Sequence, residues 1–337
     1  MLAPIRETVF SQTMISTISG GSKSTITRLI KDMKLNHINQ ETAKTKKYDL
    51  ESAQKIISSV LGKKIIKDKI HVFYNLKGGT GKTTVSFQLS SLLNISGKRV
   101  LMIDCDSQGH LSTMLRFPED GDYHTLYDVL INDIPVKMAI QNIAPGLDAI
   151  PSNLSLSRVE VPLSQKARRE DKLLNKLEEV ADDYDYIIID TNPSISTLNQ
   201  NALIAADCVN LVCETAPFSL YGLRILKDEV KKLFMEVKKH SNFRIVCNRY
   251  ESKTTTAQEV LGYIRSHYKD TVYDSIIRKS EDFNIATKEK TPITSFCKSK
   301  SSALEDIVEF FHEFLEESCK EKKPNKSDKS ENQKLFA

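Results

Sequence analysis

Residues 73–86 read FYNLKGGTGKTTVS, and the chemistry this stretch suits is holding a polyphosphate. Gly78, Gly79 and Gly81 let backbone N–H groups around Thr80 turn toward phosphate oxygens. Lys82 would reach the β- and γ-phosphates. Thr83 would offer its hydroxyl to Mg2+, with Thr84 beside it at the start of the next helix. The strict pattern G-x-x-x-x-G-K-[ST] requires glycine at 76, where this chain has Leu76, so the loop fits K-G-G-x-G-K-T instead. A second lysine, Lys77, remains, and a simple phosphate cradle has no use for it.

Two carboxylate stations accompany the loop. Asp104 and Asp106 lie in LMIDCDSQG, and Asp190 ends YDYIIID. Both follow apolar runs that read as strands, which puts the acids on the side where the loop also lies. Mg2+ and an attacking water require them there. A single aspartate after a strand is usually a turn or a helix cap. Three in this order, with the loop, favour a nucleotide site.

The elements that must position these residues show in the alternation from residue 70 onward. Strand candidates are 70–75, 99–104, 146–152, 184–190, 208–214 and 243–248, with helices between them such as 82–97 and 170–183. Continuous apolar strands separated by helices predict an α/β fold, a mostly parallel sheet covered by helices on both faces. The helix expected over 301–318 sets Leu304, Ile307, Val308, Phe311, Phe314 and Leu315 on one face and acids on the other, which favours docking on the core over a membrane surface. The polar tail over 319–337 reads as disordered.

The chain has 337 residues, 40% hydrophobic and 27% charged, enough for one large domain and a small one. It has no apolar run of the ~18–20 residues that cross a bilayer, and its start lacks the pattern of a secretion signal. Six cysteines show no C-x-x-C or framework spacing and read as buried thiols in a reducing cytoplasm. Residues 1–70 carry 13 Lys/Arg against 6 Asp/Glu, so they are +7 while the rest is −3. That asymmetry suits a polyanion partner, or simply a solvated basic face.

Within 1–69, ETVFSQTMISTI and KSTITRLIKDMKL read as two helices around the turn SGGS, NHINQETAKTKK as a linker or small wing, and YDLESAQKIISSVLG as a third helix. Ser22 or Ser24 caps the second helix. Ile26, Leu29, Ile30 and Met33 then face inward, and Lys23, Thr27, Arg28, Lys31 and Lys34 face outward. Such a row after a tight turn suits a helix in a DNA major groove. A plain three-helix cap on the next domain fits the same pattern.

KGGTGKTT, then DCDSQG about twenty residues on, DAIPSN and DYIIIDTNPS resemble the ParA/MinD class of deviant Walker-motif ATPases, and the ParA partition branch most closely. The resemblance covers about residues 70–310 and implies a P-loop NTPase fold over 70–318. Residues 1–69 are similar, more loosely, to the helix-turn-helix region of larger plasmid ParA proteins. By this resemblance Lys77 is the signature lysine that reaches across a nucleotide-sandwich dimer to the partner's phosphates. It likewise implies that Asp106 positions the hydrolytic water, that Asp104 and Asp190 hold the Mg2+ environment, and that Asn248 contacts adenine. Residues 275–303 resemble the stretch that supplies basic residues for non-specific DNA binding, here Arg278, Lys279, Lys298 and Lys300. Asn192 and Ser107 stand where the family usually has proline.

The function so implied is an ATP-dependent DNA partition protein of the cytoplasm and nucleoid. ATP and Mg2+ would join two subunits on non-specific DNA, a ParB-type partner would stimulate hydrolysis, and the N-terminal region would repress its own operator. One rival is an ATP-regulated transcriptional repressor without a partition role. A membrane-positioning ATPase of the MinD kind fits the acidic terminal helix poorly. An iron-protein-like enzyme lacks its paired cysteine ligands.

Overall fold

The computed structural model describes residues 5, 7–40, 43–216, 219–239 and 242–320; from residue 321 on, the expected tail lies outside them. The chain opens with β1 (Phe10–Ser11), α1 (Gln12–Ser19), α2 (Lys23–Asp32), β2 (Lys47–Tyr48) and α3 (Leu50–Leu61). Then come β3 (Ile70–Tyr74), α4 (Lys82–Ile95), β4 (Val100–Cys105), and the short α5 (His110–Met114), α6 (Leu126–Leu130) and α7 (Val136–Ala139). A hairpin, β5 (Gln141–Ala144) and β6 (Leu147–Ile150), leads through α8 (Glu160–Ser164) and α9 (Lys172–Glu178) to β7 (Tyr186–Thr191). The rest is α10 (Thr197–Ala205), β8 (Cys208–Glu214), α11 (Ser219–Glu236), β9 (Phe243–Tyr250), α12 (Thr255–His267), β10 (Val272–Arg278), α13 (Glu281–Glu289) and α14 (Ser302–Glu317).

Eight strands form one sheet in the order β10-β9-β8-β3-β7-β4-β6-β5. All neighbours run parallel except the β5–β6 hairpin. Strand side chains alternate between two cores. Phe73, Met102 and Ile188 pack on the side of α4 and α14, and Val72, Ile103 and Ile189 on the opposite side with Leu177, Leu203 and Leu226. This is the P-loop NTPase architecture, with the glycine-rich loop leaving β3 between β8 and β7.

The N-terminal helices are capped as side-chain chemistry dictates. Ser11, Ser22 and Asp49 accept from the N–H of Met14, Thr25 and Ser52, at 3.1, 3.1 and 2.9 Å. Gly20, at φ +70°, makes the turn between α1 and α2. Ile15, Ile18, Ile56 and Ile57 are buried in the same core as Leu89, Leu93 and Phe311. Polar bonds reinforce that packing: the Gln54 amide donates to the carbonyls of Asn94 and Pro145 at 3.0 and 3.1 Å.

Several elements differ from expectation. The first helix starts at Gln12, because Phe10–Ser11 pairs antiparallel with Lys47–Tyr48, which the sequence reading assigned to the linker and third helix. Strands β5 and β10 went unrecognised; both lie at sheet edges, where QNIA and VYDSIIR keep polar, partly exposed positions. The helix expected over 170–183 breaks into two 3-10 turns around α9. Helix α14 buries its expected face, and also Ala303, Asp306 and Phe310. Its acidic side is used as well. The Glu313 carboxylate accepts from the N–H of Asp274 and Ser275 on β10, at 2.7 and 2.8 Å. All six cysteines are free, four of them buried. Among the described residues no helix is long and apolar enough to cross a membrane.

Because the cores are shared, Ile18→Ala should destabilise the whole chain by about 2–5 kcal/mol in one cooperative urea transition followed by circular dichroism. An early, separate melting of the first sixty residues would show that the shared core does not bind the two parts together.

Candidate nucleotide site

Helix α4 begins at Lys82, so its first N–H groups face the loop mouth. Gly79 and Gly81 hold φ of +76° and +90°. A Cβ on Gly81 would stand 2.3 Å from the Asn248 amide nitrogen, so at this positive φ a substitution would be strained and would displace Asn248. That nitrogen donates to the Thr80 carbonyl at 2.7 Å. Asn248, expected at the base, therefore first grips the loop itself, while also lining the cleft beside it. The cleft measures about 630 Å³ and is lined by Thr84, Asn248, Tyr250, Lys279, Phe283 and Ser302 among others.

The carboxylates converge as the strand register requires. Asp104 on β4 lies directly opposite Asp190 on β7. Lys82, Asp104, Asp106 and Asp190 are all buried. The Thr83 hydroxyl donates to Asp190 Oδ2 at 2.6 Å. Asp104 accepts from the Asp106 N–H at 3.0 Å and from the Ser112 N–H and hydroxyl at 2.8 and 2.7 Å. Burial, with Asp104 beside it, pushes Asp190 up to about 8, against the pull of Thr83 and Lys82. Burial pushes Asp104 up to about 6 despite its three hydrogen bonds. Burial lowers Lys82, opposed by Asp190 and Asp106.

Asp190 Oδ1 and Thr80 Oγ1 are buried with no hydrogen-bond partner among the described residues. A Mg2+–nucleotide fits this set: a cation beside Thr83 and Asp190 offsets the crowded negative charge, and the loop amides face phosphate. Asp190 keeps an oxygen for it, whereas both oxygens of Asp104, the expected metal residue, are engaged by protein donors. Asp106 sits in a turn closed by its own side chain, Oδ1 accepting from the Gln108 N–H at 2.9 Å.

Lys77 is engaged outside its own loop. Its Nζ meets Glu214 Oε2 at 2.5 Å, the side chain is 56% exposed, and Arg249 Nε holds the other Glu214 oxygen at 3.0 Å. Glu214 escaped the sequence reading, although it ends CVNLVCE as Asp190 ends its own strand. Ser112 escaped too, since no spacing announces a hydroxyl that bonds back to β4.

The DNA candidates divide. Lys23, Thr27, Arg28, Lys31 and Lys34 lie exposed along and just after α2, and Lys298 and Lys300 are exposed before α14. Arg278 is engaged within the protein. It is clamped to Asp306, with Nε at 3.0 and 2.9 Å from the two carboxylate oxygens, and its own N–H donates to Asp306 at 2.8 Å. Asp306 is buried, so turning Arg278 to a phosphate would strand its charge. Lys279 pairs with Glu251 at 2.7 Å.

Residues 68–245 match the family model described as the AAA domain. The chromosome partitioning protein ParA of Caulobacter vibrioides is 37% identical over 210 residues, 61% of this chain and 79% of that one. The chain belongs to the ParA family of deviant Walker-motif ATPases. PomZ, a cell division protein of Myxococcus xanthus, is 36% identical over 66% of this chain and 70% of its own. Among solved structures, cobyrinic acid a,c-diamide synthase of Mycobacterium smegmatis, with a bound ATP analog and magnesium, superposes at a TM-score of 0.64. It is 25% identical over 73% of this chain and 94% of that one. The AAA-domain match begins at residue 68, so α1–α3 lie outside it.

The buried acids make nucleotide-free stability depend on pH. The folded chain holds a proton on Asp190 that the unfolded chain releases near the ordinary carboxylate value, about 4. Its contribution is full below about pH 4 and lost as pH rises toward 8. Asp190→Asn should therefore gain on wild type as pH rises from 5 to 8, by at most about 1.4 kcal/mol per unit. Parallel unfolding free energies across that range would overturn this account of the cluster.

Proposed function

We propose that this chain is an ATP-dependent DNA partition protein. The observation that carries the reading is the division between its two lysines. Lys82 is buried among the carboxylates, and Lys77 is turned outward, so only Lys82 serves its own cradle. Lys77, leaving Glu214, would supply positive charge to the phosphates of a second copy, making dimerisation depend on nucleotide.

Bound Mg2+ would polarise the phosphates and neutralise their charge. Thr83 and Asp190 would hold it, directly or through water. The loop amides and Lys82 fix the phosphates, Thr84 and Asn248 border the base cleft, and Asp106 orients the attacking water. Lys298 and Lys300 add sequence-independent phosphate contacts, and the exposed row on α2 reads an operator for autorepression. A ParB-type partner stimulates hydrolysis and so releases the dimer from DNA of the nucleoid.

Lys77→Ala should bind ATP as a monomer and lose ATP-dependent dimerisation and turnover; a normal ATP-linked dimer in sedimentation would sink the trans role. Asp106→Ala should keep Mg2+–ATP, dimer and DNA while hydrolysing far more slowly, because it loses a group that acts in the transition state. In stopped flow on random-sequence DNA with a ParB-type partner, that variant should stay bound while wild type leaves. Equal departure rates would separate release from hydrolysis and end this reading of the cycle.

A further inference from the structure

The loop joining β7 to α10 begins at Asn192, two residues past Asp190. In this structure the loop is organised by one side chain from the first turn of α10. The buried Asn199 Nδ2 lies 3.0 Å from Asn192 O, 2.8 Å from Asn192 Oδ1 and 2.7 Å from Ser194 O. The Ser194 hydroxyl donates to Asn192 Oδ1 at 2.5 Å. From the other side, the Tyr74 hydroxyl at the end of β3 donates to Ser194 O at 3.1 Å.

The helix carrying Asn199 is itself held. Ser196 accepts from the Asn199 N–H at 3.1 Å, and Glu160 accepts from the N–H of Thr197 and Leu198 at 2.9 and 3.2 Å. The loop in turn borders the phosphate cradle: Pro193 Cγ lies 3.9 Å from where a Cβ on Gly78 would stand. A shift of residues 192–194 therefore moves the wall of the cradle and the chain just beyond Asp190.

We propose that Asn199 is a positioning residue for ATP hydrolysis, its amide supplying the loop order that a proline at 192 would supply covalently. The proposal rests on the reading that this site hydrolyses ATP. Asn199 acts through Asn192, Ser194 and Pro193 on the alignment of Asp190 and Gly78. Proline at 192 suits its predecessor, because Thr191 already lies in a strand, the conformation proline imposes on the residue before it.

The test uses the full chain with DNA and varied ATP. Asn199→Ala should lower kcat about tenfold or more while KM stays within about threefold, since misplacing a catalytic frame costs turnover first. Asn192→Pro in the Asn199→Ala background should restore most of kcat, which a general packing defect would not allow. Tyr74→Phe, which removes one hydroxyl, should lower kcat in the same direction and covers the case in which Asn199→Ala does not fold. In nucleotide-free protein, amide exchange over 192–199 should quicken in Asn199→Ala and slow again in the double variant. Unchanged kcat in both Asn199→Ala and Tyr74→Phe, absence of rescue, or unchanged exchange each overturns the proposal. A wild-type chain that hydrolyses no ATP, with exchange behaving as expected, overturns the proposed function and leaves the network standing.

Discussion

The site is built around an electrostatic conflict fixed by strand register. Parallel pairing of β4 with β7 sets Asp104 opposite Asp190, and the turn after β4 adds Asp106. Desolvated like charges at such range repel strongly, and protein dipoles relieve the conflict only in part. Ser112 and the Asp106 amide spend their donors on Asp104, Thr83 spends its hydroxyl on Asp190, and Lys82 is drawn into the same volume. The remaining deficit of positive charge makes this end of the sheet receptive to a metal-bound phosphate chain.

Helix α4 transmits that arrangement into the body of the protein. Its N-terminus faces the phosphates, and it is buried along nearly its whole length. The sheet covers one flank, and α3 and α14 cover others. This explains an unusual composition: Ser86 and Ser91, buried in its interior, return their hydroxyls to the carbonyls of Thr83 and Phe87 at 3.0 and 2.9 Å. Small hydroxylated residues let the flanking elements approach closely, and at Ser86 and Ser91 the hydroxyl finds its acceptor within the helix.

The sequence made the phosphate loop and its acids legible because they depend on local spacing: glycines, a lysine and strand-terminal aspartates at short range. It was blind where meaning depends on distant partners. Arg278 looked like a surface cation until Asp306, a turn into another helix, claimed it. Asn199 carried no motif, since its contacts come from a loop seven residues upstream folding back onto it. Strand β10 was hidden because an edge strand with one wetted side loses the continuous apolar run that marked β3 and β7. The shared core of α1, α3 and α14 was only half visible, for the reading gave α14 one apolar face where the fold uses more.

Glu313 carries a consequence for how the molecule behaves in a crowd. An unpaired edge strand is a template on which a strand from another molecule can grow. On β10 the Asp274 and Ser275 amides, which an incoming strand would need, already bond the Glu313 carboxylate. The charge lies against the edge itself, so an approaching backbone carbonyl meets repulsion where it would seek a donor. Self-assembly through this margin of the sheet is thereby discouraged.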